Sequence, residues 1–137
     1  MAFALHPRLE ADTHRIAELE LCALRLMDDA RWPWLILVPG REGIEEIHAL
    51  DARDRAVLIE EQARVAAALQ GLTGCRSINV AALGNVVAQL HVHVVARNEG
   101  DPNWPGPVWG HGTRVPYERD AAEDLSERLR RTMELDS

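Results

Sequence analysis

The spacing of apolar residues changes along this chain, and each change predicts a new element. Leu19 to Met27, apolar apart from Glu20 and Arg25, reads as a strand, less cleanly patterned than those that follow. Asp28-Asp29-Ala30-Arg31-Trp32-Pro33 follows as a turn, and Trp34-Leu35-Ile36-Leu37-Val38 reads as a second strand closed by Pro39-Gly40. Two strands with a short turn predict an antiparallel hairpin. From Asp51 the spacing becomes helical: Leu58, Val65 and Leu69 share one face of a helix running to Gln70. Asp51 can cap its start, Asp54 sits in the first turn, and Gly71 is expected to end it. Ser77 to Leu83 then predicts a strand, Gly84-Asn85 a turn, and Val86 to Ala96 a partner strand. Asn98 to Val115 is irregular, and Tyr117 to Met133 predicts a second helix with Pro116 before it and Leu125, Leu129 and Met133 on one face. Hairpin, helix, hairpin, helix is an α+β order: an antiparallel sheet with two main helices packed against it.

The 137 residues suit one compact domain, and 47% hydrophobic composition is enough for a core. No apolar stretch approaches the roughly 20 residues that span a bilayer. Met1 to Glu10 lacks a basic start followed by an apolar run, so no secretory leader is expected. Cys22 and Cys75 form no CxxC pair and are expected as small core residues. Together these features predict a cytoplasmic protein with no membrane contact. The net charge of −7 argues against a nucleic-acid polymer as partner. It leaves room for a single nucleotide, whose phosphates need only a few N–H groups and histidines. All 15 basic residues other than histidine are arginine, which excludes a P-loop lysine or a nucleotidyl-lysine intermediate.

The chemistry concentrates in Gln89-Leu90-His91-Val92-His93-Val94-Val95. On a strand, Gln89, His91 and His93 face one way and Leu90, Val92 and Val94 the other, with a same-face spacing of about 7 Å. Two histidines and an amide on one face are costly in a core without partners. Three readings follow. His-x-His on a strand is a ligand pair for zinc or iron, and Gly84, Glu99 and Gly106 nearly fit a cupin pattern. The first two of those spacings are each about one residue too long, and a cupin lacks the two helices. Alternatively, a neutral imidazole with its tautomer fixed can attack phosphorus while a second histidine serves the leaving group, with no metal or cofactor. The third reading is a nucleotide-binding protein with little or no turnover.

The segment resembles the signature of the histidine triad (HIT) family, His-x-His-x-His-x-x with x apolar. Leu90, Val92, Val94 and Val95 keep the apolar positions, and His91 and His93 the last two histidines. Arg97, the strand ending in Pro39, the helix from Asp51, and Asn79 before the turn extend the resemblance from about residue 19 to 109. It implies a HIT-like fold over residues 1–137, with the core at about 19–109 and the C-terminal helix at about 117–133. It implies that His91 attacks a nucleotide α-phosphate to form a nucleotidyl-histidine that water hydrolyses, with His93 beside the phosphate and leaving group. Asn79 would lie near the ribose and phosphate, and Asp28 near the ribose hydroxyls. Gln89 stands in place of the first histidine and can orient the site without titrating. Gly84-Asn85-Val86 replaces the usual Gly-Gln and hydroxyl residue: Asn85 can substitute for Gln, whereas Val86 offers no hydroxyl. The expected activity is metal-independent hydrolysis of nucleoside phosphoramidates or (di)nucleoside polyphosphates, by a symmetric homodimer.

Outside the motif, His6, His14 and His48 are expected to be solvated, and the Glu118–Glu127 stretch to be a helix's solvent face. Trp104 and Trp109 lie in the irregular segment, where function or packing would equally explain them, and His111 in the same segment is not assigned to the site.

Overall fold

The computed structural model describes residues 3–136. Among the described residues the hydrophobic blocks form three α-helices and five strands: α1 (Pro7–Asp12), β1 (Thr13–Glu18), β2 (Cys22–Met27), β3 (Trp34–Pro39), α2 (Ala52–Thr73), β4 (Ser77–Ala82), β5 (Val92–Arg97) and α3 (Arg119–Met133). The strands make one sheet in the order β1-β2-β3-β5-β4, and every neighbouring pair is antiparallel. Alternation gives the sheet two apolar faces. Leu24, Leu26, Leu35, Leu37, Val92 and Val94 pack with Leu58, Val65 and Leu69 of α2 and Leu129 of α3. Trp34, Ile36, Val38 and Val95 pack on the other side with Leu9 of α1, Trp32 and Val108. Both cysteines are free and buried. Among the described residues no helix is long and apolar enough to cross a membrane.

The first hairpin differs from the reading of its sequence. The expected strand Leu19–Met27 begins only at Cys22, and an unanticipated helix and strand precede it. A bulge between Arg15 and Ala17 buries the consecutive residues Ile16 and Ala17, which erases the alternation of β1. The β1–β2 turn contains no glycine, proline, asparagine or aspartate. It is held from outside, by the buried Glu61 carboxylate of α2, which accepts from the backbone N–H groups of Leu21 and Cys22 at 3.0 Å each.

α2 begins where capping chemistry predicts but runs past its expected end, whereas α3 ends at Met133 as expected but starts two residues late. Asp51 caps α2 by accepting from the Asp54 N–H, and the helix passes through Gly71 to stop at Gly74, whose φ of +67° is left-handed. α3 starts at Arg119, after Tyr117, whose N–H donates to the Asp28 carboxylate. The predicted strand from Val86 is corrected to Val92–Arg97, and residues 83–91 form an irregular loop where a two-residue turn was expected. Its backbone pairs elsewhere: the Leu90 N–H donates to the Ile44 carbonyl.

Candidate active site

β5 carries His93, Val95 and Arg97 on the face opposite α2 and α3, and His91 precedes it immediately. The two imidazoles stand edge to face with ring centroids 4.9 Å apart, and both are buried. They flank a cleft of about 360 Å³. Its walls come from distant parts of the chain: Arg8 and Asp12 of α1, Trp34 of β3, Asn85 and Val86 of the 83–91 loop, and Trp109. A larger open hollow along α2, lined by Glu20, Val57, Glu60 and Arg64, contains no imidazole.

Different partners fix the two histidines in different tautomers. His91 Nδ1 lies 2.7 Å from the Gln89 carbonyl. A carbonyl only accepts, so Nδ1 carries the hydrogen and Nε2 the lone pair. His93 Nδ1 lies 2.9 Å from Trp34 Nε1. An indole N–H only donates, so Nδ1 of His93 is the acceptor and Nε2 carries the hydrogen. Burial, and secondarily the neighbouring His91, pushes the His93 imidazole down to about 3, so it is neutral at physiological pH. The pair therefore presents one basic nitrogen and one N–H donor. Trp109 closes the aromatic floor, with its ring centroid 5.5 Å from His93 and 6.1 Å from Trp34. Its Nε1 is buried and has no partner among the described residues.

The remaining residues singled out in the sequence divide. Asn85 lines the cleft, and Gly84 lines a small adjoining depression with Gln89 and His91. The Gln89 side chain is committed to the N-terminal segment: its Oε1 accepts from the His6 N–H and its Nε2 donates to the Ala4 carbonyl, both at 2.9 Å. Asn79 accepts from the buried Arg97 at 3.1 Å, and neither residue lines the cleft. Asp28 accepts from His14 and from the Tyr117 N–H at 2.9 Å, likewise outside the cleft lining. Of the histidines expected in solvent, His48 is exposed, His14 is half-exposed beside Asp28, and His6 caps α1 by accepting from the Arg8 N–H. Among the described residues no three His, Cys, Asp or Glu side chains form a metal-holding group.

Trp34, Arg8 and Asp12 were not legible as site residues. Trp34 reaches His93 because β3 pairs with β5, placing Ile36 opposite His93 and Trp34 on the diagonal. No local pattern signals pairing between strands so distant in sequence.

The HIT domain family model matches residues 8–100, most of the chain. The chain belongs to the histidine triad family. A HIT protein from Sinorhizobium meliloti 1021 is 52% identical with a TM-score of 0.94, over 95% of this chain and 96% of that one. A histidine triad protein from Bradyrhizobium japonicum is 43% identical with a TM-score of 0.95, over 97% and 99%. One from Marinobacter aquaeolei VT8 is 44% identical with a TM-score of 0.95, over 98% of each chain. No curated protein is significantly similar. The matched region includes His91 and His93, which line the cleft.

Proposed function

We propose that this HIT protein is a single-domain, metal-independent nucleotidyl hydrolase or transferase that binds a nucleotide in the cleft and reacts at its α-phosphate through His91. The observation that carries this reading is the Gln89 carbonyl at His91 Nδ1, which leaves Nε2 with a lone pair and no partner among the described residues. Attack by Nε2 forms a phosphorus–nitrogen bond and expels the leaving group with its electron pair. Water then attacks the nucleotidyl-histidine, its surplus proton passes to solvent, and Nε2 regains its pair. Asn85 and the His93 Nε2–H serve the phosphoryl oxygens from the cleft wall. Gln89 supports the site through its carbonyl and its hold on the N-terminal segment. The expected substrates are nucleoside phosphoramidates or (di)nucleoside polyphosphates.

Exposed Val86 in the cleft wall, at 75% of its surface, supplies no hydroxyl where phosphate would sit, and this favours a binder of low turnover as the second reading. One experiment separates the two. Rapid quenching of the protein with an aryl ester of AMP, under mildly basic conditions, should add the mass of a nucleotidyl group to the peptide containing His91. His91→Ala should lose the adduct and at least about 10³-fold in turnover. Nucleotide binding with neither adduct nor turnover would establish the second reading.

A further inference from the structure

The partner of His93 bears on which leaving groups the site serves. Trp34 Nε1 donates to His93 Nδ1 inside the core, and Trp34 is 7% exposed and His93 5%. To act as a general acid, a neutral histidine must either become an imidazolate or take a second proton. The second proton belongs on Nδ1, which already faces an N–H that cannot accept. The other titratable and charged groups around the cleft do not replace it. His91 Nδ1–H is tied to a backbone carbonyl, and the Asp12 side chain is held between Arg8 and Arg114 at 3.4 Å each. Arg8 does not release protons at physiological pH.

We propose that Trp34 is a positioning residue that locks His93 as a fixed neutral hydrogen-bond donor, so that the site takes nucleotides whose leaving group departs as an anion, namely a phosphate or polyphosphate. This deepens the proposed reaction and rests on it. In the first step His91 Nε2 bonds to the α-phosphorus. The bridging phosphorus–oxygen bond breaks, and its electron pair leaves on the departing phosphate. His93 Nε2–H hydrogen-bonds a phosphoryl oxygen and keeps its proton. Arg8 in the cleft wall, exposed and paired with Asp12 at 3.4 Å, is the arginine that can meet the departing anion. An amine leaving group would instead need a proton at its nitrogen before the phosphorus–nitrogen bond broke, and no group beside it supplies one.

The test joins spectroscopy with kinetics. In ¹⁵N spectra of the wild-type protein, His93 should show an unprotonated Nδ1 and a protonated Nε2 throughout pH 5 to 8. Turnover of aryl esters of AMP should rise on the order of five- to tenfold per unit of leaving-group acidity, and ADP should react faster than adenosine phosphoramidate. Trp34→Phe keeps an aromatic ring but removes the N–H. It should let an Nδ1–H tautomer of His93 appear in the spectra, and free Nδ1 to take a proton as Nε2 gives one up, which should flatten the leaving-group dependence. A His93 that titrates between pH 5 and 8 in the wild type, or a wild-type Nδ1–H tautomer, would overturn the lock even if the variant failed to fold. Folded Trp34→Phe with unchanged His93 spectra would do the same, as would a phosphoramidate turned over as fast as ADP. Absence of both turnover and adduct with every substrate defeats the hydrolase reading and the leaving-group assignment with it, while the spectra still decide the Trp34–His93 lock.

Discussion

Single side chains in this protein join several backbone segments at once. Arg97 is 1% exposed, yet it is fully engaged: both nitrogens of its fork reach Asp101 at 2.8 Å, and Nη1 also donates to the Gly106 carbonyl and to Asn79. It ties the segment after β5 back to the sheet and lies over the Trp32 and Trp104 rings. Arg97→Ala should destabilise the fold by about 3 kcal/mol, the usual cost of breaking a buried pair from one side, measured by urea unfolding at pH 7. The Arg97 hydrogen bond also holds the Asp101 carboxyl below its ordinary value. A depressed carboxylate contributes stability that is present above its unfolded pKa, about 3.9, and lost as pH falls through the folded value. The variant should therefore lose part of the wild type's acid dependence below about pH 4. An unchanged acid limb would show that Asp101 is not held in this way.

At the scale of elements, ends are set by backbone conformation and by contacts from neighbouring elements. Gly71 and Gly74 lie three residues apart near the end of α2, and a Cβ at either would meet nothing within 4 Å. Only their conformations differ, since Gly71 is helical and Gly74 has φ +67°. Gly71→Ala should stabilise the protein by about 0.5–1 kcal/mol through helix propensity. Gly74→Ala should destabilise it by about 1–2 kcal/mol through left-handed strain. Thermal melts of the two variants should move in opposite directions, and a shift of the same sign would contradict this account of the helix end. The β1–β2 turn shows the other control. Its shape depends on Glu61 from α2, and burial first, then Glu61, pushes the Cys22 thiol up, so it remains protonated.

For the whole molecule, burying a neutral histidine makes stability depend on pH. His93 lies at about 3 in the fold, against about 6.5 in the unfolded chain. Between these values the unfolded state binds a proton that the native state does not. Stability is therefore complete above about pH 6.5 and declines as pH falls toward 3, by up to about 1.4 kcal/mol per unit. His93→Gln should remove one proton's worth of this slope in urea unfolding from pH 7 to 4. The sheet also has two open edges, β1 and β4, and Val80 on β4 is 42% exposed. Pairing of two copies through the β4 edge would cover it. Sedimentation at micromolar concentration should give a dimer, and a 15.3 kDa monomer alone would rule out the symmetric assembly.

The sequence by itself determined the family, the α+β order, the core faces of both long helices and the pairing of His91 with His93. These depend on local periodicity and on a motif within one short segment, where backbone geometry alone sets which side chains share a face. It did not determine the start of β5, the bulged β1 or the short α1, because a bulge and a loop held by distant groups erase the alternation that marks a strand. Tertiary structure decided the chemical identity of the histidines. Gln89 holds Ala4 and His6 through its side chain and His91 through its carbonyl. Trp34, from a strand far earlier in the chain, fixes the tautomer of His93. A tautomer is set by what stands within 3 Å of each ring nitrogen, and for His93 that neighbour arrives only when β3 pairs with β5.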